Sequence, residues 1–295
     1  MEPLQSSKDI DKISFDLLKA SNSYGVFPTP VDKITGYSDL IVTGGIDIKS
    51  LEKKYKSFIF SEALKSGLEK VRGFLDRREK IIYVDTEQTA TRQGFVKLHE
   101  TGHNVLPWQT KTVQFLDDDK TLAPEIKEEF EAEANYFASV TLFQCDIFLN
   151  ECKKYELGIA ATFQLSKMFG ASTHATLRRY VEESPKRCAL LVLKDVSQRG
   201  QKPNAHYRNY FHSKRFEKEF GELTWTAEMG WEWPFIKDYY FNKKVKTDGS
   251  LSIQTLNGQK EFCYHFFNNT FNGFVFIFPK GENKKTRTTI ILKSK

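Results

Sequence analysis

Two histidines four residues apart, with a glutamate directly after the first, constrain this chain more than any other feature: His99-Glu100-Thr101-Gly102-His103. Four residues advance an α-helix by about 400°, so both imidazoles leave nearly one face, one turn apart. Such a pair suits two ligands of a tetrahedral zinc ion. Glu100 is poorly placed to bind the same ion but well placed to reach a water on it. The pattern predicts a metal-activated water with Glu100 as general base.

The flanking residues predict the helix that this geometry requires. Phe95, Leu98, Gly102, Val105 and Leu106 recur near helical spacing and form one apolar face. Pro107 is predicted to end the helix, with Leu106 pushed toward an extended conformation. A catalytic zinc site needs three protein ligands and one open position. After an acidic turn, Asp117-Asp118-Asp119, a second helix is predicted from Pro124 and continues through Leu149. A first-turn proline and early acidic residues favour its start. Ile126, Phe130, Ala134, Phe137 and Thr141 form its packed stripe. Spacing alone leaves Glu128, Glu129, Glu131 and Glu133 all open as the third ligand.

The pairing of His-Glu-x-x-His with a downstream Glu-x-x-Ala-Asn-x-Phe-Ala, Glu131 to Ala138, resembles the ImmA/IrrE family of metallopeptidases. The resemblance implies that Glu131 completes the zinc site. It also implies that Asn135 supports the site from behind, through a hydrogen bond that orients a ligand histidine. Looser similarity runs over residues 10–185. It includes Pro30-Val31-Asp32-Lys33-Ile34, the strand Ile81-Ile82-Tyr83-Val84-Asp85, and the unit Phe169-Gly170-Ala171-Ser172 followed by Leu177-Arg178-Arg179-Tyr180. That last unit looks like a helix-turn-helix. The chain departs from the family after Phe137-Ala138, where Ser139-Val140-Thr141-Leu142 replaces the usual Leu-Leu-Met-Pro, and in the approach Arg92-Gln93-Gly94-Phe95 to the first motif.

Past Pro185 the pattern changes to strand-like runs: Cys188–Leu193, Asp238–Phe241, Leu251–Leu256, Phe262–Phe267, Phe274–Phe278 and Thr288–Leu292. Asp248-Gly249 and Asn257-Gly258 are hairpin signals between them. The expected class is α+β: a helical zincin-like metallopeptidase domain with a small sheet at 10–185, then a β-rich C-terminal domain at 186–295. Trp225, Trp231 and Trp233 are read as filling the core of the second sheet, with a ligand pocket as the alternative. Cys263 and His265, two apart on a strand, lack a partner pair for a metal.

The charge is uneven. Residues 1–150 carry −5 and residues 151–295 carry +11, which together make the chain's +6. A basic half suits nucleic acid or an acidic partner, or is simply a solvated surface. Four cysteines without close pairing suggest reduced thiols. No run approaches 18 apolar residues, and residues 1–8 lack an apolar signal core, so the expected location is the cytoplasm with no membrane partner.

The sequence thus predicts a zinc-dependent endopeptidase held together by His99, His103 and Glu131, one zinc per chain, with another divalent ion as the alternative. The resemblance implies regulatory cleavage of a helix-turn-helix transcriptional repressor in a stress or mobile-element response. The C-terminal domain would sense a signal or select the substrate. The rival readings are a non-proteolytic DNA- or protein-binding regulator on a zincin scaffold, and a toxin or defence protease with another protein target. The oxyanion-stabilising residue is left open among His174, His206, His212 and Tyr136.

Overall fold

A computed structural model describes residues 4–44, 73–115, 124–197 and 200–283. The acidic run Asp117–Asp119 and the run Thr288–Leu292 lie outside the described residues. The fold is α+β, with a helical peptidase-like domain and a β-rich C-terminal region. The contacts divide the chain into two compact units, Met1–Phe148 with Ser166–Ser172, and Leu149–Leu165 with Thr173–Lys295.

The first unit begins with α1 (Ser7–Ala20) and α2 (Val31–Tyr37). Strands β1 (Ile41–Gly44), β2 (Gly73–Asp76) and β3 (Ile81–Val84) form a small sheet in the order β1-β3-β2. β3 pairs parallel with β1 and antiparallel with β2. Leu75, Ile82 and Val84 pack with Leu40 and with Val96 of α3 (Ala90–Val105), so the sheet lies directly on the motif helix. α3 stops at Val105, Leu106 is extended (φ −77°, ψ 110°), and Pro107 opens α4 (Pro107–Phe115). A proline ring disfavours the α conformation of the preceding residue yet suits the first turn of the next helix, which accounts for the break.

α5 (Pro124–Leu142) packs on both α1 and α3. Its stripe is buried at Ala134, Phe137 and Thr141, whereas Ile126 near its start is exposed. Gly102 makes the crossing possible: a Cβ there would sit 3.0 Å from the Phe137 ring and 3.4 Å from Ala134 Cα. The continuous helix expected through Leu149 is broken instead. Gln144 and Cys145 adopt φ of 51° and 53°, and α6 (Asp146–Cys152) starts afresh. The reason is tertiary. The buried Gln144 amide accepts from Gly25 N (2.7 Å) and donates to Val26 O (2.7 Å) and Thr29 Oγ1 (3.0 Å). These bonds are unavailable to a residue continuing the α5 helix.

α7 (Ile159–Phe169) and α8 (Thr173–Glu182) are joined through Gly170, which holds φ +69°. The second unit is built on a six-stranded antiparallel sheet in the order β6-β5-β4-β9-β8-β7. Its strands are β4 (Ala189–Lys194), β5 (Ala205–His212), β6 (Glu228–Met229), β7 (Val245–Thr255), β8 (Gly258–Asn268) and β9 (Asn272–Pro279). On one face, Phe216 and Phe220 of α9 (Lys214–Phe220) and Phe235, Ile236 and Tyr239 of α10 (Pro234–Tyr240) meet Leu191, Phe262, Tyr264, Phe266, Val275 and Ile277. On the other, Phe163 packs on Phe267, His174 on Phe274 and Tyr180 on Phe276. β9 is therefore buried on both faces, and its unbroken apolar run is what a central strand needs.

Two sequence expectations change here. Asp238–Phe241 is not a strand: residues 234–240 are helical, started by Pro234 at its first position, and Asp238 is buried to accept from Tyr264 Oη (2.6 Å) and Lys243 Nζ (2.9 Å). Asn257-Gly258 does turn the β7–β8 hairpin, but Asp248-Gly249 lies inside β7 at a register shift. Gly249 is needed there for close approach, since a Cβ would lie 2.3 Å from the Tyr264 ring. Trp225 and Trp233 pack against the core, whereas Trp231 is 41% exposed. Cys263 and His265 form no metal group among the described residues; His265 Nδ1 accepts from Ile159 N at 3.3 Å.

Candidate metal centre

The spacing of α3 places both imidazoles on one face, as helical geometry requires. His99 Nε2 and His103 Nε2 lie 3.1 Å apart. Glu131 lies about one turn before Ala134 on α5, at the close crossing that Gly102 permits. Its carboxylate reaches both rings, with Oε2 3.4 Å from His99 Nε2 and Oε1 3.6 Å from His103 Nε2. The three donor atoms lie within 4.8 Å of one another, the one such group of three among the described residues. His99 is buried, whereas the Glu131 side chain is 35% exposed, so solvent reaches the cluster on the carboxylate side.

The donor set fits a divalent cation, and the hydrogen bonds behind it say why. Gln109 is fully buried. Its Nε2 donates to Phe130 O (3.1 Å) and Glu133 Oε2 (2.8 Å). Its Oε1 must then accept, and the partner 2.7 Å away is His103 Nδ1. His103 Nδ1 therefore carries a proton, and in the neutral ring Nε2 offers a lone pair toward the other donors. Glu133 is buried and bound further by Trp108 Nε1 (2.7 Å) and Ser6 Oγ (2.5 Å). An amide and a carboxylate behind a histidine fix its tautomer and ring plane, as in many metal sites. His99 Nδ1, by contrast, is buried with no hydrogen-bond partner.

Electrostatics tie the group together. Burial pushes the Glu100 pKa up, while His103, His99 and Arg77 pull against it. For Glu131 burial also acts upward, but the adjoining His103 and His99 imidazoles outweigh it and hold the carboxyl well below the usual range. His103 is opposed by burial and raised on balance by Glu131 and Glu100. Opposite charges favour each other's ionised forms in a partly desolvated site.

The structure brings His99, Glu100, His103 and Glu131 together. Glu128 and Glu129 are exposed, and Glu133 turns to the Gln109 network. Asn135 is exposed and makes no hydrogen bond to either histidine. Tyr136 donates to Asp11 Oδ1 at 3.0 Å. His174, His206 and His212 belong to the second unit. Gln109 and Arg77 were not singled out from the sequence. Neither lies in a motif, and both owe their position to tertiary packing.

Residues 53–180 match the family model described as the IrrE N-terminal-like domain, Peptidase_M78. No curated protein matches the chain. Among solved structures, the fold is similar to a Mycobacterium tuberculosis transcriptional regulator, with a TM-score of 0.54 and 12% identity over 92% of this chain and 75% of that one. At that identity the likeness concerns the fold alone.

Proposed function

From the premise that this chain belongs to the ImmA/IrrE family through its IrrE N-terminal-like domain, we propose that it is a zinc-dependent endopeptidase. The observation that carries the reading is the convergence of His99, His103 and Glu131 beside the buried Glu100. These three residues would hold the ion. When bound, it supplies Lewis acidity, lowering the pKa of a coordinated water and polarising a carbonyl oxygen. Glu100 takes the proton of the attacking water and returns it to the leaving amine. Its burial favours this shuttle, because a desolvated carboxylate binds a proton more readily than an exposed one. Gln109 and Glu133 hold the His103 ring in place.

The substrate class we propose is a helix-turn-helix transcriptional repressor in the cytoplasm, cleaved in a stress or mobile-element response. The family membership supports this. The name of the structural neighbour, a transcriptional regulator, is compatible with it. The division into a peptidase part and a β-rich part beginning near residue 186 belongs to the same reading, with the second selecting substrate or sensing a signal. Direct DNA reading by the helix-turn-helix-like unit is less favoured. Arg178 pairs with Glu182 (3.0 Å) and Arg179 approaches Glu183 (3.9 Å), so both guanidiniums already face carboxylates.

The test is elemental analysis of dialysed protein with proteolysis of a candidate repressor. Wild type should hold one zinc per chain. Glu100→Gln should keep the zinc and lose cleavage by about 10²- to 10⁴-fold. A Glu100→Gln protein that still cleaves at the full rate would sink the mechanism.

A further inference from the structure

Arg77 stands in the turn between β2 and β3. Asp76 Oδ1 fixes that turn by accepting from Arg78 N (3.0 Å) and Glu79 N (3.1 Å). Along β2, Gly73 and Leu75 are buried and Phe74 and Asp76 are half-buried. Arg77 follows Leu75 by two residues, immediately past the end of the strand. Leu75 shares a cluster with Val96 of the motif helix, and Glu100 follows Val96 by one helical turn. The guanidinium is half-buried and within electrostatic reach of both Glu100 and Glu131. Among the described residues it forms no hydrogen bond and no ion pair. An arginine carries five N–H donors, and those not bonded within the protein are open to an incoming acceptor. A partly desolvated guanidinium beside the donor cluster, bonded to neither carboxylate, is a binding group awaiting an oxygen anion.

We propose that Arg77 binds the oxyanion that develops on the scissile carbonyl. This rests on the peptidase reading above. As a water oxygen bonds to the carbonyl carbon, the C=O π pair moves onto the carbonyl oxygen and the water proton goes to Glu100. That oxygen becomes negative at this step, and hydrogen bonds that strengthen there accelerate the reaction rather than ground-state binding. Glu100 and Arg77 thus take the two charges of the addition, the proton and the oxyanion.

The test uses the full zinc-loaded chain with two peptide analogues. Ala-Ψ[PO2-CH2]-Ala-Ala is a phosphinic, tetrahedral anion. Ala-Ψ[CO-CH2]-Ala-Ala is a ketomethylene with an uncharged carbonyl. Charge-assisted hydrogen bonds predict that Arg77→Met weakens phosphinic binding by about 10- to 100-fold. Ketomethylene affinity, zinc content and melting temperature should stay within error, and Arg77→Lys should restore part of the loss. Equal phosphinic affinity in wild type and Arg77→Met would overturn the assignment, as would parallel loss of both analogues. Wild type that takes up no zinc, or takes it up and binds neither analogue, overturns the peptidase reading and this inference with it.

Discussion

Gln109 decides which nitrogen of His103 faces the cluster, because both of its N–H donors are committed to Phe130 O and Glu133. Gln109→Leu keeps the volume but removes the acceptor. Zinc affinity, measured by competition with a chromophoric chelator, is expected to fall about 10- to 100-fold. Glu131→Gln should abolish retention after dialysis, whereas Glu133→Gln should only weaken it. Equal loss in the two variants would mean that the carboxylates share the role of ligand. At this scale the sequence was informative where spacing within one helix suffices, as for His99, Glu100 and His103. Glu131 required the family resemblance, because four glutamates crowd one stretch of helix. Gln109 and Arg77 were illegible, since nothing local marks a residue whose role comes from a neighbour distant in sequence. The thiols give a separate check. Burial pushes Cys188 up to about 12 and, with smaller opposing effects, Cys152 also to about 12. In native protein at pH 8 both are expected to react with a disulfide reagent far more slowly than after denaturation. Rapid native labelling of Cys188 would contradict the packing described.

Among the elements, the crossing of α3 and α5 is the most demanding, because the candidate metal ligands straddle it. A Cβ on Gly102 meets the Phe137 ring at 3.0 Å, so Gly102→Val should force the helices apart. The expected cost is about 1–3 kcal/mol in chemical denaturation, with zinc affinity falling in parallel. Unchanged zinc binding in that variant would show that the crossing does not set the ligand geometry. The limits of sequence reading are of one kind here. The end of α3 at Pro107 was legible because proline acts on its immediate neighbour. The break at Gln144 was not, because side-chain bonds to residues 25–29 impose it. Likewise Asp248-Gly249 carries a turn signature, yet its glycine serves the Tyr264 ring inside a long strand.

At the scale of the molecule, the α+β class was legible from the change of pattern after Pro185, while the two compact units rest on contacts that no run of residues announces. The second unit also has a built-in response to acid. Burial, helped by Arg208 and Arg178, lowers the His174 pKa to about 4. Between that value and the ordinary histidine value near 6.5 the unfolded chain binds a proton that the folded chain does not. Stability should therefore fall as pH drops through this window. His174→Gln is expected to flatten the fall in melting temperature between about pH 6.5 and 4, and an unchanged slope would refute the assignment. The strand order has a kinetic consequence as well. β4 pairs along its length with β9, although some 80 residues separate Ala189–Lys194 from Asn272–Pro279. As a ribosome delivers the chain, β4 must wait with one edge open until nearly all the intervening hairpins have been made. Closure over so long a loop is slow, and in that interval an apolar strand edge stands exposed to other nascent copies.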